Sequence, residues 1–153
     1  MSNSPVKEIE ADTSRIIGKL QGKESGPTVL FFGGIHGNER SGVQALEHVF
    51  SEVEKLDIEI RGTVYGIRGN IPALQEQKRF LYSDLNRMWT QKGINGIQGK
   101  NHEERHDEER ELAQIYGLLK KILESNPPPY YFIDFHTTSS QTLPFITIND
   151  AMI

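Results

Sequence analysis

Val29-Leu30-Phe31-Phe32-Gly33-Gly34-Ile35-His36-Gly37-Asn38-Glu39-Arg40-Ser41 is the stretch whose reading decides the fold. Its four leading apolar residues follow the turn signal Glu24-Ser25-Gly26-Pro27 and stop at a glycine pair. A run so short and so bounded predicts a buried strand rather than a helix. From about Glu39 to Leu56, Val43, Leu46, Val49, Phe50 and Val53 then recur at helical spacing, which predicts an amphipathic helix.

Downstream, Ile58, Ile60, Val64, Tyr65 and Ile67 mark one or two strands punctuated by Gly62 and Gly66. Asn70-Ile71-Pro72 opens a short helix, since proline is tolerated in a first turn. Residues 91–101 (QKGINGIQGKN) read as loop by composition. From Glu104 to Glu124, Leu112, Ile115, Tyr116, Leu119, Ile122 and Leu123 return to helical spacing. Acidic residues crowd the start of this helix and Lys120 and Lys121 lie near its end, the arrangement the helix dipole favours. Asn126 and Pro127-Pro128-Pro129 stop it. Tyr130–Phe135 is a further strand and Phe145–Ile148 another. The alternation predicts an α/β fold with a mixed, partly parallel sheet and flanking helices. Ligands of such sheets gather at the carboxyl ends of the strands.

Composition narrows the function classes. At 153 residues and 36% hydrophobic, the chain is long enough for one core and reads as a single domain. Seventeen Lys+Arg against 21 Asp+Glu give a formal charge of −4, with no basic footprint for nucleic acid. Cysteine is absent, which removes disulfides, thiolate metal sites and cysteine nucleophiles. No apolar run approaches the roughly 18 residues of a membrane span. The start, MSNSPVKEIEADTS, lacks the pattern of a secretory signal, so a cytoplasmic protein is expected. Composition leaves the oligomeric state open, a homo-oligomer included. The ending TLPFITINDAMI reads as a strand followed by the beginning of a turn, more like an interruption than a domain end.

Two histidines stand directly after predicted buried strands: His36 after Phe31–Ile35, and His136 after Phe132–Phe135. Glu39, three residues past His36, can turn its carboxylate toward the same ion, and the glycines allow a tight bend. His, Glu and His with one position open is the ligand composition of catalytic zinc. Neither Ca²⁺ nor Mg²⁺ is expected to choose two imidazoles. The plain structural alternative is a loop histidine and a hydrogen-bonded strand-end histidine. A competing match, His102-Glu103-Glu104-Arg105-His106, satisfies H-E-x-x-H. Charge surrounds it on both sides, so it reads as a solvated helix start rather than a buried zinc helix. A third cluster, Arg79-Phe80-Leu81-Tyr82-Ser83-Asp84-Leu85-Asn86-Arg87, sets two guanidinium groups around a carboxylate and an amide. Arginine there suits a substrate carboxylate or developing oxyanion charge; the alternative is a surface Asp–Arg loop.

Taken together these segments resemble the succinylglutamate desuccinylase/aspartoacylase family, relatives of the zinc carboxypeptidases. The resemblance is carried by Gly33–Gly42, by Arg79 with Asp84-Leu85-Asn86-Arg87, and by Asp134-Phe135-His136-Thr137-Thr138-Ser139, with Asn70-Ile71-Pro72-Ala73 between the first two. It implies a zinc carboxypeptidase-like fold and one Zn²⁺ held by His36, Glu39 and His136. It further implies that Arg79 polarises the scissile carbonyl, that Asn86 and Arg87 hold a substrate carboxylate, and that Asp84 orients His36. The implied reaction is hydrolysis of a small anionic N-acyl amino acid, of the N-acyl-aspartate or N-succinyl-glutamate type. In this family the general base is a glutamate on a strand well downstream of the third ligand, and no glutamate follows Glu124. The expectation is therefore that residues 1–153 are the N-terminal part of a longer catalytic domain, binding zinc but turning over poorly without the base. A related zinc peptidase and a non-catalytic zinc-binding module are the alternatives. Faster cleavage of short peptides would mark the first, and stoichiometric zinc without hydrolysis the second.

Overall fold

Strand pairing places the site, and the pairing is seen in a computed structural model that describes residues 15–53, 55–56, 58–138 and 141–148. β1 (Ile16–Gln21), β2 (Glu24–Gly33), β3 (Arg61–Arg68) and β4 (Tyr130–Phe135) form a sheet of order β1-β3-β2-β4. β2 runs parallel to β3 and to β4, while β1 is antiparallel to β3. The mixed, partly parallel α/β sheet expected from the alternation of elements is the one observed. β1 was not foreseen, because Ile16-Ile17-Gly18-Lys19-Leu20-Gln21 is short and carries little periodicity of its own.

Side-chain alternation divides the sheet into two faces. On one, Leu30 and Phe32 of β2 pair in register with Tyr65 and Ile67 of β3. They are buried with Leu112, Ile115, Leu118 and Ile122 of α4 (Asp107–Ser125). Burying each of these side chains contributes about 1.5–3 kcal/mol relative to exposure. The other face takes α1 (Ser41–Val53), whose Val43, Leu46 and Phe50 are buried. The Phe50 ring lies against Gly18 and Gly66, where an added Cβ would come within 2.3 Å and 2.5 Å of ring carbons. Glycine there makes room for a large aromatic ring.

Two local expectations need correction. Residues 91–101 are not all loop: Gln91–Gln98 form helix α3, whose Thr90 hydroxyl accepts from Gly93 N and whose Ile97 is buried in the α4-side core. The cap and the buried isoleucine outweigh the low helix propensity of its glycines. Phe145–Ile148 is not a strand; the segment has no regular structure, and Phe145, Ile146 and Ile148 are exposed. A strand forms only where a neighbour pairs with it, and residues 141–148 pair with none of the described strands. Ile58 and Ile60 likewise precede β3 rather than belonging to it.

Candidate metal centre

Because β2 and β4 are parallel with Gly33 opposite Phe135, both chains leave the sheet at the same edge. After β2, Gly34 takes φ +76°, a left-handed turn that glycine adopts without strain, and His36 follows two residues later. Glu39 sits in the tight turn that Glu39 N closes onto His36 O at 3.0 Å, just ahead of α1. His136 follows β4 directly. One ligand atom from each of His36, Glu39 and His136 lies within 4.8 Å of the other two. His36 and Glu39 are buried; His136 is about one-third exposed.

Glu39 bridges the imidazoles. Its Oε1 is 2.8 Å from His36 Nδ1, and its Oε2 is 3.0 Å from His136 Nδ1 and accepts from Thr137 N at 2.8 Å. Burial alone raises its pKa, and the hydrogen bonds from Thr137, His136 and His36 outweigh that, leaving it below the usual 4.5. Both imidazoles are held from behind. His36 Nε2 is 3.2 Å from Asp84 Oδ1, and His136 Nε2 is 2.6 Å from Asp134 Oδ2. Asp134 raises His136 to about 9 against the opposing effect of burial. A carboxylate behind the ring is one of the partners that fix the orientation of metal-binding histidines. Asp134 was missed as a supporting residue, although the Asp-x-His spacing along a strand, which returns both side chains to one face, could have flagged it.

The Arg79–Arg87 segment meets the same site through Arg79, Asp84 and Asn86. Arg79 Nη2 donates to Asp84 Oδ2 at 3.2 Å, and its Nη1 lies 3.7 Å from Glu39 Oε1. Asp84 is raised by burial and lowered further by His36 and Arg79, so it too lies below its ordinary value. It also caps a short 3-10 turn, Leu85–Arg87, accepting from Asn86 N at 3.0 Å. Asn86 Nδ2 reaches to 3.5 Å from His136 Nε2. Arg87 is exposed, and its guanidinium has no hydrogen-bond partner among the described residues. His102 and His106 take no part: they occupy a 3-10 turn and the N-cap of α4, and no metal-competent cluster among the described residues includes them. Two helical ligands one turn apart, which H-E-x-x-H requires, never form.

The fold and site define an α/β protein with a candidate metal centre at the carboxyl edge of its parallel strands. The chain belongs to the succinylglutamate desuccinylase/aspartoacylase catalytic domain family, which residues 25–151 match. It is 27% identical over 115 residues to a succinylglutamate desuccinylase of Photorhabdus laumondii, covering 75% of this chain and 34% of that protein. A Yersinia enterocolitica succinylglutamate desuccinylase is 30% identical over 100 residues, covering 65% of this chain and 28% of the relative. The chain thus spans about a third of the length of the curated relatives it matches. Its fold is that of the crystal structure of the Chromobacterium violaceum succinylglutamate desuccinylase, with a TM-score of 0.61 and 21% identity over 77% of this chain and 35% of that one. The Vibrio parahaemolyticus succinylglutamate desuccinylase structure gives 0.59 and 18% over 78% and 38%. No helix among the described residues is long and apolar enough to cross a membrane.

Proposed function

We propose that the chain carries the metal centre of a zinc-dependent hydrolase that cleaves the amide bond of a small N-acyl amino acid. The observation behind this reading is the convergence of His36, Glu39 and His136 inside the segment matched to the family. The donor set fits the ion, since two imidazoles and a carboxylate are the protein ligands typical of catalytic zinc. Asp84 and Asp134 stand behind the two rings as such ligands require. When bound, zinc supplies Lewis acidity and a water whose pKa falls toward about 7.

The chain's own residues then divide the work. His36, Glu39 and His136 hold the ion. Arg79, half exposed and steered by Asp84, presents its guanidinium beside Glu39, where charge developing on a carbonyl oxygen would meet a fixed cation. Arg87, exposed next to Asn86 in the chain, offers the bidentate fork suited to a substrate carboxylate, and the Asn86 amide reaches to 3.5 Å from the ring of His136. The −4 formal charge of the chain does not decide anion binding, because Arg79, Arg87 and the ion make this edge locally positive. The carboxylates Glu39, Asp84 and Asp134 are all engaged in holding imidazoles or Arg79, so none of them stands free to take a proton from water.

Zinc content and hydrolysis test the proposal on the full-length protein. About one zinc per chain is expected, lost in His36→Ala and His136→Ala and retained in His102→Ala. N-succinyl-glutamate or N-acyl-aspartate is expected to be cleaved faster than short peptides. Stoichiometric zinc in either ligand variant refutes the metal assignment. Faster peptide cleavage makes the protein a peptidase, and bound zinc with no hydrolysis makes it a non-catalytic binding module.

A further inference from the structure

Glu108, in the first turn of α4, is fully buried, and among the described residues its sole ion-pair neighbour is His106 Nδ1 at 3.7 Å. A carboxylate in such a place is tolerated only when its lone pairs are fully engaged. Here they are. Oε1 accepts from Leu81 N at 2.7 Å and from Asn70 Nδ2 at 3.1 Å; Oε2 accepts from Tyr82 N at 3.0 Å and Ser83 N at 3.1 Å. Three consecutive backbone N–H groups therefore converge on one side chain, an anion-receiving turn filled by the protein's own carboxylate.

The turn it fills lies between Arg79 and Asp84. Arg79 O is held at one end by Gly37 N, 3.2 Å away in the metal-ligand loop. Asp84 follows Ser83 directly at the other end and contacts both His36 Nε2 and Arg79 Nη2. On the reading of His36 as a zinc ligand, we propose that Glu108 is a positioning residue for this site. It fixes the backbone of Leu81–Ser83 so that Asp84 stands against His36 and Arg79 faces Glu39. Asn70 assists, donating to Glu108 while its Oδ1 caps α2 (Ile71–Glu76) through Ala73 N. Glu111 provides the contrast. It too is buried on the same helix, but its partners are Arg15 Nη2 and Ile71 N, which do not belong to the Arg79–Asp84 segment.

Glu108→Gln is the sharpest test, because each oxygen holds two donors. Whichever way the amide turns, its NH₂ faces two N–H groups. Zinc affinity of the full-length protein is expected to fall about tenfold, within the range seen when support of a metal ligand is lost. Asp84→Asn should weaken zinc by a similar or larger factor. The double variant should bind about as weakly as Asp84→Asn alone, because both changes act through the same carboxylate. Glu111→Gln should lower Tm and leave zinc affinity within about twofold. Additive losses for Glu108→Gln and Asp84→Asn, or equal losses for Glu108→Gln and Glu111→Gln, overturn the inference. If circular dichroism shows Glu108→Gln unfolded, Asn70→Ser keeps a hydroxyl cap on α2 and removes one donor to Glu108. It should weaken zinc about threefold, again without adding to Asp84→Asn; an additive loss is refuting.

The metal-free protein separates this inference from the zinc reading. A downfield proton NMR signal from His36 Nε2–H donated to Asp84 is expected in the wild type and in Glu111→Gln. It should vanish in Asp84→Asn and shift in Glu108→Gln. An unmoved signal in Glu108→Gln refutes the positioning role even if zinc binds as proposed. A moved signal sustains it even if zinc does not bind.

Discussion

Gly37→Ala joins the fold to the site in one atom. Gly37 lies between His36 and Glu39, pressed against α2, and a Cβ built there would be 2.0 Å from Ala73 C and 2.1 Å from Ala73 O. Those are backbone atoms, so no side chain can swing aside. The contact must open by about 1.4 Å to reach the 3.4 Å of ordinary contact. Overpacking of this kind costs about 1–3 kcal/mol, and a rigid backbone obstacle argues for the upper end. Gly37 N also donates to Arg79 O, a bond worth about 1 kcal/mol that the shift would stretch or break. Together these come to about 4 kcal/mol, and at roughly 2–4 °C per kcal/mol for a chain of this size Tm should fall by about 8–16 °C. Metal sites tolerate only about 0.2 Å in ligand distance, so a displacement between His36 and Glu39 should weaken zinc by at least about tenfold. Thermal melts followed by circular dichroism, with zinc titration against a competing chelator, measure both. A Gly37→Ala protein melting within about 2 °C of wild type with unchanged zinc affinity would refute the packing argument.

Arg79→Ala should leave zinc bound and lower kcat by about 10²-fold, the effect of one lost electrostatic donor; a raised KM at unchanged kcat would make Arg79 a binding residue instead. Gly96→Ala in α3 and Gly117→Ala in α4 meet nothing within 4 Å and should each raise stability by about 0.5–1 kcal/mol, read as a higher urea midpoint. Burial raises Glu108, but its bonds from Leu81, Asn70, Ser83 and Tyr82 outweigh that and hold it below 4.5 when folded. Its contribution is therefore complete above the unfolded value of about 4.5 and is lost as pH falls through the lower folded value. Urea midpoints should fall below about pH 4.5, and Glu108→Gln should flatten that decline; an unchanged slope counts against the hydrogen-bonded carboxylate.

Much of the architecture was legible because its cues are local. Val29–Phe32 with its glycines, the helical spacing of Val43, Leu46 and Phe50, and that of Leu112, Ile115 and Ile122 each announce an element within a dozen residues. Where burial depends on a distant partner, local reading fails. Ile97 turns a glycine-rich segment into α3 because a core exists for it to enter. Phe145–Ile148 has the composition of a strand and none of the described strands beside it. β1 becomes a strand because β3 offers an antiparallel edge.

By itself the sequence determined the chemistry on offer. Without cysteine, a metal must be taken by imidazole and carboxylate, and the spacing of His36 and Glu39 already lets one turn bring them together. Only the tertiary structure decided that residue 136 meets residue 39. That depends on β4 pairing with β2 in a register setting Phe135 opposite Gly33, which no local pattern encodes. The same holds for the supporting carboxylates. Asp84 reaches His36 across 48 residues, and Glu108 reaches the turn at Leu81–Ser83 across a helix and a loop. Such contacts arise from the packing of whole elements, because hydrogen bonds act over about 3 Å and the chain must first bring their partners that close.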